Sequence, residues 1–279
     1  MKGIVERIDF NERNMDLSQQ EHLVRYLLAI NYIKEKKVLD IACGTGYGAH
    51  ILAPYCKEIV GLDNSDDAIN LAKKRYIHKN LSFLKTDATS TNLNPSSFDV
   101  IISFETIEHI ENQRAFLSEI MNLLKPDGLL LLSCPNIAWS KKHNIKNEFH
   151  FREYTYHEVR NLLSPYFKFI DIAAQYQISG SLIINTKKKL LDKINFSFNK
   201  QLITNDIPVC FIVLCSNSNQ SPVIPILSTT KNEIYDLQAY IIELKSIILK
   251  DESKIVSLLK SKLGRLLKKP KKLFDLIKR

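Results

Sequence analysis

Val38-Leu39-Asp40-Ile41-Ala42-Cys43-Gly44-Thr45-Gly46-Tyr47-Gly48 joins an apolar run directly to a glycine-rich turn. The chain holds only eight glycines in 279 residues, and three of them lie in this turn. Glycine lets the backbone turn tightly and lets a ligand approach it, while a following helix presents free N–H groups. The stretch therefore predicts a strand, a ligand-binding turn and a helix in succession.

The same alternation continues from Lys36 to about Cys215, where short apolar runs alternate with helical stretches. This pattern is typical of repeated βα units around a largely parallel sheet. Strands are predicted near 37–42, 58–63, 81–86, 98–104, 128–133, 167–174 and 208–215. Helices are predicted near 18–33, 47–55, 66–78, 111–124 and 155–164. We expect a doubly wound, Rossmann-like α/β fold with a seven-stranded sheet.

The chain outside this pattern divides by composition into further segments. The expected units are an N-terminal helical lid (1–35), the α/β domain (36–217), a linker (218–229), a coiled-coil-like helix (230–258) and a basic amphipathic tail (259–279). Ile234 and Leu237 begin a heptad pattern that favours a parallel homodimer, with a trimer or packing on the protein's own body as alternatives. Residues 186–205 fit either a helical insert or a loop.

The net charge of +9 comes from the end of the chain. Residues 254–279 contain ten basic residues and one acid, so residues 1–253 carry 29 charges of each sign. Leucines interleaved with this basic cluster suit an anionic membrane surface. A solvated tail or a nucleic-acid contact is the alternative. Nucleic acid is not expected as a partner, because Phe274 is the tail's one aromatic residue.

Several protein classes are excluded by composition. No apolar run approaches the roughly 20 residues that a membrane-spanning helix needs, and the charged start leaves no signal-peptide core. The five cysteines lack CxxC spacing, so we expect reduced thiols, with neither disulfides nor a zinc knuckle. A cytoplasmic protein is expected.

Two cofactors compete for the glycine turn. An acid at the end of the second predicted strand, Asp63, is placed to accept hydrogen bonds from the ribose hydroxyls of an adenine nucleoside. A dinucleotide site requires GxGxxG, whereas this turn reads GxGxG and follows an acid, Asp40. That acid repels a diphosphate but suits the ammonium of a methionine moiety. The turn therefore favours S-adenosylmethionine (SAM).

Five stretches resemble, in order, the motifs of class I SAM-dependent methyltransferases. They are VLDIACGTGYG (38–48), IVGLD (59–63), FLKTDA (83–88), SFDVIISFETIEHI (97–110) and LLKPDGLLLLSCPN (123–136). The resemblance covers about residues 18–215. It implies the following cofactor-binding residues: Asp40, Gly44, Gly46, Asp63, Asp87 at the adenine amine, Ala88 through its backbone, and Phe104 beside the cofactor. A SAM-binding scaffold without catalysis is the other class considered.

The segment EHLVRY before the first strand also occurs in sequences that resemble this one. It places Glu21, His22 and Arg25 on one helical face. Arg25 is thereby expected to close over the methionine carboxylate. A plain amphipathic helix is the alternative.

Three candidate catalytic residues, Glu105, Glu108 and His109, form E-x-x-E-H after the fourth strand. In a helical turn this spacing puts all three on one side, where they suit a divalent ion such as Mg, Mn or Zn. The spacing is similar to that of ubiquinone-pathway and small-RNA 2′-O-methyltransferases. A second stretch, HFREYT (150–155), resembles the H-x-F-E-W-T segment of the small-RNA enzymes, and that resemblance implies His150 as the fourth ligand. The alternatives are His109 as a metal-free base, and a structural role in which the glutamates cap a helix.

The acceptor is expected from resemblance alone. The motif set together with NEFHFREYTYHEVRNLL (147–163) looks like methyltransferases of bacterial surface polysaccharide, and the C-terminal arrangement resembles O-antigen chain-terminating enzymes. This implies O-methylation of a sugar on a glycan or glycolipid at the cytoplasmic membrane face. The alternatives are a small quinone-like precursor and the 2′-oxygen of RNA.

Overall fold

The computed structural model describes residues 17–178, 180–185, 207–218 and 227–230. Nine strands lie in these residues and form one sheet. They are β1 (Lys37–Ile41), β2 (Glu58–Asp63), β3 (Leu81–Lys85), β4 (Phe98–Phe104), β5 (Leu124–Pro135), β6 (Phe169–Ile178), β7 (Gly180–Asn185), β8 (Cys210–Ser216) and β9 (Leu227–Thr230).

Six α-helices and three short 3-10 helices lie between the described strands. The α-helices are α1 (Leu17–Ala29), α2 (Tyr47–Leu52), α3 (Asp66–Arg75), α4 (Gln113–Leu123), α5 (Ile137–Lys142) and α6 (Tyr156–Leu163). The 3-10 turns are Ile30–Tyr32, Ala53–Tyr55 and Ile107–His109. Side chains cap several helix starts: Ser65 accepts from the N–H of Ala68, and Thr155 forms a capping box with Glu158.

The sheet order is β3-β2-β1-β4-β5-β8-β6-β7-β9. The first five strands of this order run parallel, whereas β8 runs antiparallel between β5 and β6. Chain order reverses between β1 and β4. In an open α/β sheet, ligands bind outside the carboxyl ends of the strands at such a reversal. The turns after β1, β2 and β4 therefore border the expected site.

Apolar side chains cover both faces of the sheet. Helices α1, α2 and α3 pack on one face, with Leu23, Leu52 and Ala72 fully buried. Helices α4 and α6 cover the other face, where Phe116 and Val159 are also fully buried. Each fully buried Leu, Val or Phe side chain contributes about 1.5–3 kcal/mol of transfer free energy, and this packing makes the central strands a rigid support for the turns.

The predicted Rossmann-like fold is confirmed, and all seven predicted strands are present. Two further strands extend the sheet: β7 pairs with β6, and β9 pairs with β7. Residues 227–229 of β9 lie in the segment expected to be a linker, and its last residue, Thr230, begins the segment expected to be a coiled-coil-like helix. Helix α3 ends at Arg75 rather than near residue 78, because Tyr76 adopts an extended conformation.

Residues 219–226 of the predicted linker lie outside the described residues, and so do four other predicted segments, wholly or in part. They are the start of the lid (1–16), the insert at 186–205, the coiled-coil-like helix at 230–258, of which the structure describes only Thr230, and the tail at 259–279. Among the described helices, none has the length and apolar character that would allow it to cross a bilayer.

Candidate functional site

The turn after β1 has the backbone conformation that its glycines permit. Gly44 and Gly46 have φ of +56° and +82°, in the left-handed region. A Cβ atom on Gly44 would meet nothing within 4 Å, whereas one on Gly46 would lie 2.6 Å from the Phe83 ring and 2.8 Å from Ala72. Gly44 therefore borders open space, and Gly46 is required by packing.

Asp63 at the end of β2 holds this turn in place. Its Oδ2 accepts a hydrogen bond from the N–H of Gly44 at 3.0 Å, and its Oδ1 accepts from the N–H of Ser65 at 2.9 Å. The carboxylate thus connects the turns that follow β1 and β2. An acid in this position also suits the ribose hydroxyls of an adenine nucleoside.

Asp40 is buried beneath the glycine turn and is covered by Tyr26 of α1. The Tyr26 hydroxyl lies 3.3 Å from both carboxylate oxygens. Burial raises the pKa of Asp40 to about 7, and the nearby Asp63 adds to the shift. A Cβ on Gly48 would lie 1.9 Å from the Tyr26 ring, so the third glycine of the turn makes room for this tyrosine.

The predicted adenine-side residues occupy different environments. Asp87 is exposed, and its Oδ1 accepts from the Thr89 N–H at 2.7 Å and the Thr89 hydroxyl at 2.6 Å. These two hydrogen bonds lower the pKa of Asp87. Ala88 is nearly buried. Phe104 is also buried, edge-on to Tyr26 at 5.1 Å between ring centroids, so its ring belongs to the core.

Arg25 lies on α1 and is only 2% exposed. Its Nη1 lies 3.1 Å from Glu105 Oε1, and its Nε donates to Gln175 Oε1 at 2.7 Å. The hydroxyl of Ser133 also donates to Glu105 Oε1, at 2.7 Å. The guanidinium expected at the methionine carboxylate therefore pairs with one of the predicted metal ligands.

Three of the four predicted metal ligands converge. Ligand atoms of Glu108, His109 and His150 all lie within 4.8 Å of one another, and His150 comes from a loop 40 residues further along the chain. Glu105 is not in this group. Its backbone φ of +48° and its contacts with Arg25 and Ser133 place it apart, which corrects the prediction of a four-residue set.

Glu108 is fully buried, and neither of its carboxylate oxygens has a hydrogen-bond partner among the residues that the structure describes. Burial, with a smaller contribution from the charge of Glu105, raises the pKa of Glu108. A buried carboxylate without a partner is costly, and such groups are usually protonated, paired or bound to a metal. The donor set of one carboxylate and two imidazoles fits a divalent ion such as Zn or Mn.

Neighbouring groups orient both imidazoles of this cluster. His109 Nδ1 lies 3.0 Å from the carbonyl oxygen of Phe149, so its Nδ1–H donates there and Nε2 keeps a lone pair. His150 Nδ1 lies 2.8 Å from Glu153 Oε1, and its Nε2 lies 2.8 Å from Asn147 Nδ2. These partners assign the same tautomer to both rings, the one in which Nε2 accepts a hydrogen bond or binds a metal.

Sequence reasoning missed the residues that hold the site together. Tyr26, Ser133, Asn147 and Glu153 were not predicted, although Tyr26 directly follows Arg25 and Glu153 lies within the segment that was compared with small-RNA enzymes. Tyr26 and Glu153 could have been suspected because each lies close in sequence to a predicted site residue. The roles of all four residues, however, depend on contacts between distant parts of the chain.

Comparison with known proteins supports the resemblance to SAM-dependent methyltransferases. Residues 39–132 match a family model described as a methyltransferase domain. A protein of Mycolicibacterium smegmatis named as a probable S-adenosylmethionine-dependent methyltransferase is 33% identical over 151 residues, which are 52% of this chain and 56% of that protein. The chain thus spans little more than half of that relative's length. The mitochondrial ubiquinone biosynthesis O-methyltransferase of Schizosaccharomyces pombe is 34% identical over 37% of this chain and 39% of that enzyme.

Solved structures agree on the fold. A SAM-dependent methyltransferase from Archaeoglobus fulgidus aligns with a TM-score of 0.53 at 19% identity, over 70% of this chain and 94% of that one. An identity this low supports the fold alone. Together with the family model matched over residues 39–132 and the curated relatives, it makes the α/β part of this chain similar, in sequence and in fold, to S-adenosylmethionine-dependent methyltransferases.

Proposed function

We propose that this chain transfers the methyl group of SAM to an oxygen acceptor bound beside Glu108, His109 and His150. The observation that carries the proposal is the fully buried Glu108 carboxylate, which has no hydrogen-bond partner in the described part of the chain and lies against two oriented imidazoles. A cluster of this kind at the carboxyl end of β4 suits activation of a hydroxyl.

Methyl transfer from a sulfonium is an in-line displacement. The C–O bond forms as the C–S bond breaks, the electron pair of that bond goes to sulfur, and S-adenosylhomocysteine leaves. The glycine turn after β1, which contains Gly44, and Asp63 at the end of β2 hold the cofactor. His109 takes the acceptor's proton at Nε2, because its Nδ1–H is held by the Phe149 carbonyl.

The cluster also suits a divalent metal, for which Glu108, His109 and His150 are the candidate ligands. When bound, such an ion lowers the pKa of an acceptor hydroxyl and fixes its position. His109 is then a metal ligand rather than a general base. Metal-assisted transfer and metal-free base catalysis are therefore alternative mechanisms that use the same residues.

The proposed acceptor is a sugar hydroxyl of a cell-surface glycan or glycolipid intermediate at the cytoplasmic face of the membrane. Support comes from the motif resemblance and from the basic tail at 259–279, proposed to contact anionic lipid. The second candidate is a small phenolic quinone precursor. It is favoured by the ubiquinone biosynthesis O-methyltransferases of Schizosaccharomyces pombe and Bartonella tribocorum, which are 34% and 31% identical over the matched residues.

The test begins with calorimetric binding of SAM and S-adenosylhomocysteine to the full chain, the Asp63→Ala variant and a matched control, Asp66→Ala. Asp66 is an exposed acid of α3 near the site. The proposal expects Asp63→Ala to weaken binding about 10- to 100-fold, as loss of charge-assisted hydrogen bonds does, and the control to bind normally. No binding to folded wild type would overturn it.

The acceptor is then identified by transfer of labelled methyl from SAM to lipid-linked glycans, nucleotide sugars and catechols. Glu108→Gln and His109→Gln are expected to abolish transfer while SAM still binds. Transfer to a nitrogen or carbon acceptor would contradict the oxygen assignment, and transfer to catechols alone would favour the quinone-precursor alternative.

A further inference from the structure

We propose that the loop leading to His150 docks on an anionic lipid bilayer. We call residues 141–151 the docking loop; they comprise the last two residues of α5 and the loop that follows it. This segment presents the apolar side chains Ile145, Phe149 and Phe151 and the lysines Lys141, Lys142 and Lys146. This surface lies on the catalytic domain itself and is separate from the basic tail. The inference does not depend on which acceptor the enzyme methylates.

The apolar side chains of the docking loop are unusually exposed. Five large hydrophobic residues are exposed in the described part of the chain, and three of them fall within seven residues: Ile145 (54%), Phe149 (49%) and Phe151 (64%). Single exposed hydrophobics need no explanation, but a cluster of this kind marks a contact surface.

Charge indicates what that surface contacts. The three lysines are all exposed, and between Trp139 and Phe151 the one acid is Glu148. Lysines beside aromatic and aliphatic side chains are typical of segments that enter the headgroup region of an anionic membrane. Each lysine near such a surface contributes attraction, while the apolar side chains enter the acyl boundary.

The docking loop is joined directly to the candidate reaction site. The carbonyl oxygen of Phe149 accepts from His109, and the N–H of Phe151 donates to the carbonyl oxygen of Glu108 at 2.8 Å. The backbone of the two exposed phenylalanines therefore supports the cluster while their side chains face outward. Docking at this loop would bring Glu108, His109 and His150 to the membrane surface.

The chain carries its own probe of this surface. Trp139 is the one tryptophan in the sequence, and its ring stacks on His143 at 3.8 Å between centroids, at the start of the docking loop. Tryptophan emission therefore reports on the docking loop, and the tail itself contains no tryptophan. The experiment mixes the full chain with vesicles of phosphatidylcholine alone or with phosphatidylglycerol, each made with ordinary or brominated acyl chains.

We expect phosphatidylglycerol vesicles to shift Trp139 emission to the blue and brominated chains to quench it. The variant Lys141→Gln/Lys142→Gln/Lys146→Gln should weaken the affinity for phosphatidylglycerol vesicles, measured by Trp139 emission, roughly 10- to 100-fold, because it removes three charges. Ile145→Ser/Phe149→Ser/Phe151→Ser should remove the quenching. Ile77→Ser is the matched control, because Ile77 is 84% exposed on another part of the surface and should behave as wild type.

Two checks keep the outcomes separate. Calorimetric SAM binding by each variant establishes that it is folded, so a failed variant is recognised as such and replaced by its single substitutions. Vesicle binding without any change in Trp139 emission would assign membrane contact to the tail and overturn the proposal. Emission that responds to a soluble nucleotide sugar but not to vesicles would make the loop an acceptor subsite, which also overturns it.

Discussion

At the scale of single residues, three glycines of one turn perform different tasks. Gly44 borders open space, Gly46 packs against Phe83 and Ala72, and Gly48 makes room for Tyr26. The clustering of glycines predicted a ligand-binding turn, and the resemblance implied that Gly44 and Gly46 bind the cofactor, with no role assigned to Gly48. The difference lies in which side chains surround each glycine, and a local sequence pattern does not contain that information.

Substituting these glycines should separate folding from binding. Gly44→Ala has room for its methyl group and is expected to cost about 1–2 kcal/mol of unfolding free energy from its left-handed backbone. Gly46→Ala adds contacts below 3 Å and should cost at least about 3 kcal/mol. Urea denaturation measures both. Equal destabilisation would show that Phe83 and Ala72 move aside freely.

Asp40 should make stability fall as pH rises. Its pKa is about 7 in the folded protein against 3.8 for the ordinary group, so the folded state holds a proton that the unfolded state releases. The stabilisation is complete below about pH 4 and is lost as pH rises through 7. Over that range the loss is on the order of 2–4 kcal/mol. Unfolding free energies at pH 5 and pH 8 should differ less in Asp40→Asn, and an unchanged difference would contradict the assignment.

At the scale of elements, contacts between α1, the end of β4 and the loop before α6 assemble the site. Arg25 reaches Glu105 across 80 positions of sequence, and His150 reaches Glu108 and His109 across about 40. The E-x-x-E-H spacing predicted a common side for all three residues, and ligand atoms of Glu108 and His109, both in a short 3-10 helix, lie within 4.8 Å of one another. It failed for Glu105, because that residue precedes the helix with a left-handed backbone and pairs with Arg25.

Glu153 should control metal affinity if the cluster binds an ion. Its carboxylate accepts from His150 Nδ1 and so orients the ring. Glu153→Gln is expected to weaken binding of Zn or Mn about 10- to 100-fold, as loss of such a partner usually does. Calorimetric titration with the metal measures this directly, and Glu148→Gln is the control because Glu148 is an exposed acid of the same loop.

The same titration tests the cluster itself. Absence of binding by wild type, together with activity that survives a chelator, would leave His109 as a metal-free base. Equal affinities for wild type and Glu153→Gln would instead keep the metal and remove the role of Glu153.

At the scale of the whole molecule, the charge distribution separates a body without net charge, residues 1–253, from a strongly basic end, residues 254–279. The nine-stranded sheet continues through β9 at Leu227–Thr230, which lies beyond the range 36–217 expected for the α/β domain. The heptad pattern that begins in the following residues is proposed to join two copies of the chain.

Sedimentation equilibrium tests that assembly. The full chain is expected to be a dimer, because isoleucine at a and leucine at d favour two parallel strands. A chain ending at Thr230 should be monomeric and should still bind SAM. A monomeric full chain would indicate that the helix packs on its own domain, and a trimer would change the stoichiometry without changing the segment responsible.

The sequence by itself determined the order of the seven predicted strands along the chain, the glycine turn, the acid after the second strand, and the adjacent residues Glu108 and His109. Each depends on periodicity or on residues that are neighbours along the chain, where local sterics and hydrogen bonding decide the structure. Tertiary structure alone decided that Arg25 pairs with Glu105, that Glu108 is buried without a partner, and that β7 and β9 extend the sheet. Those outcomes depend on desolvation and on contacts between distant segments, which no spacing along the chain encodes.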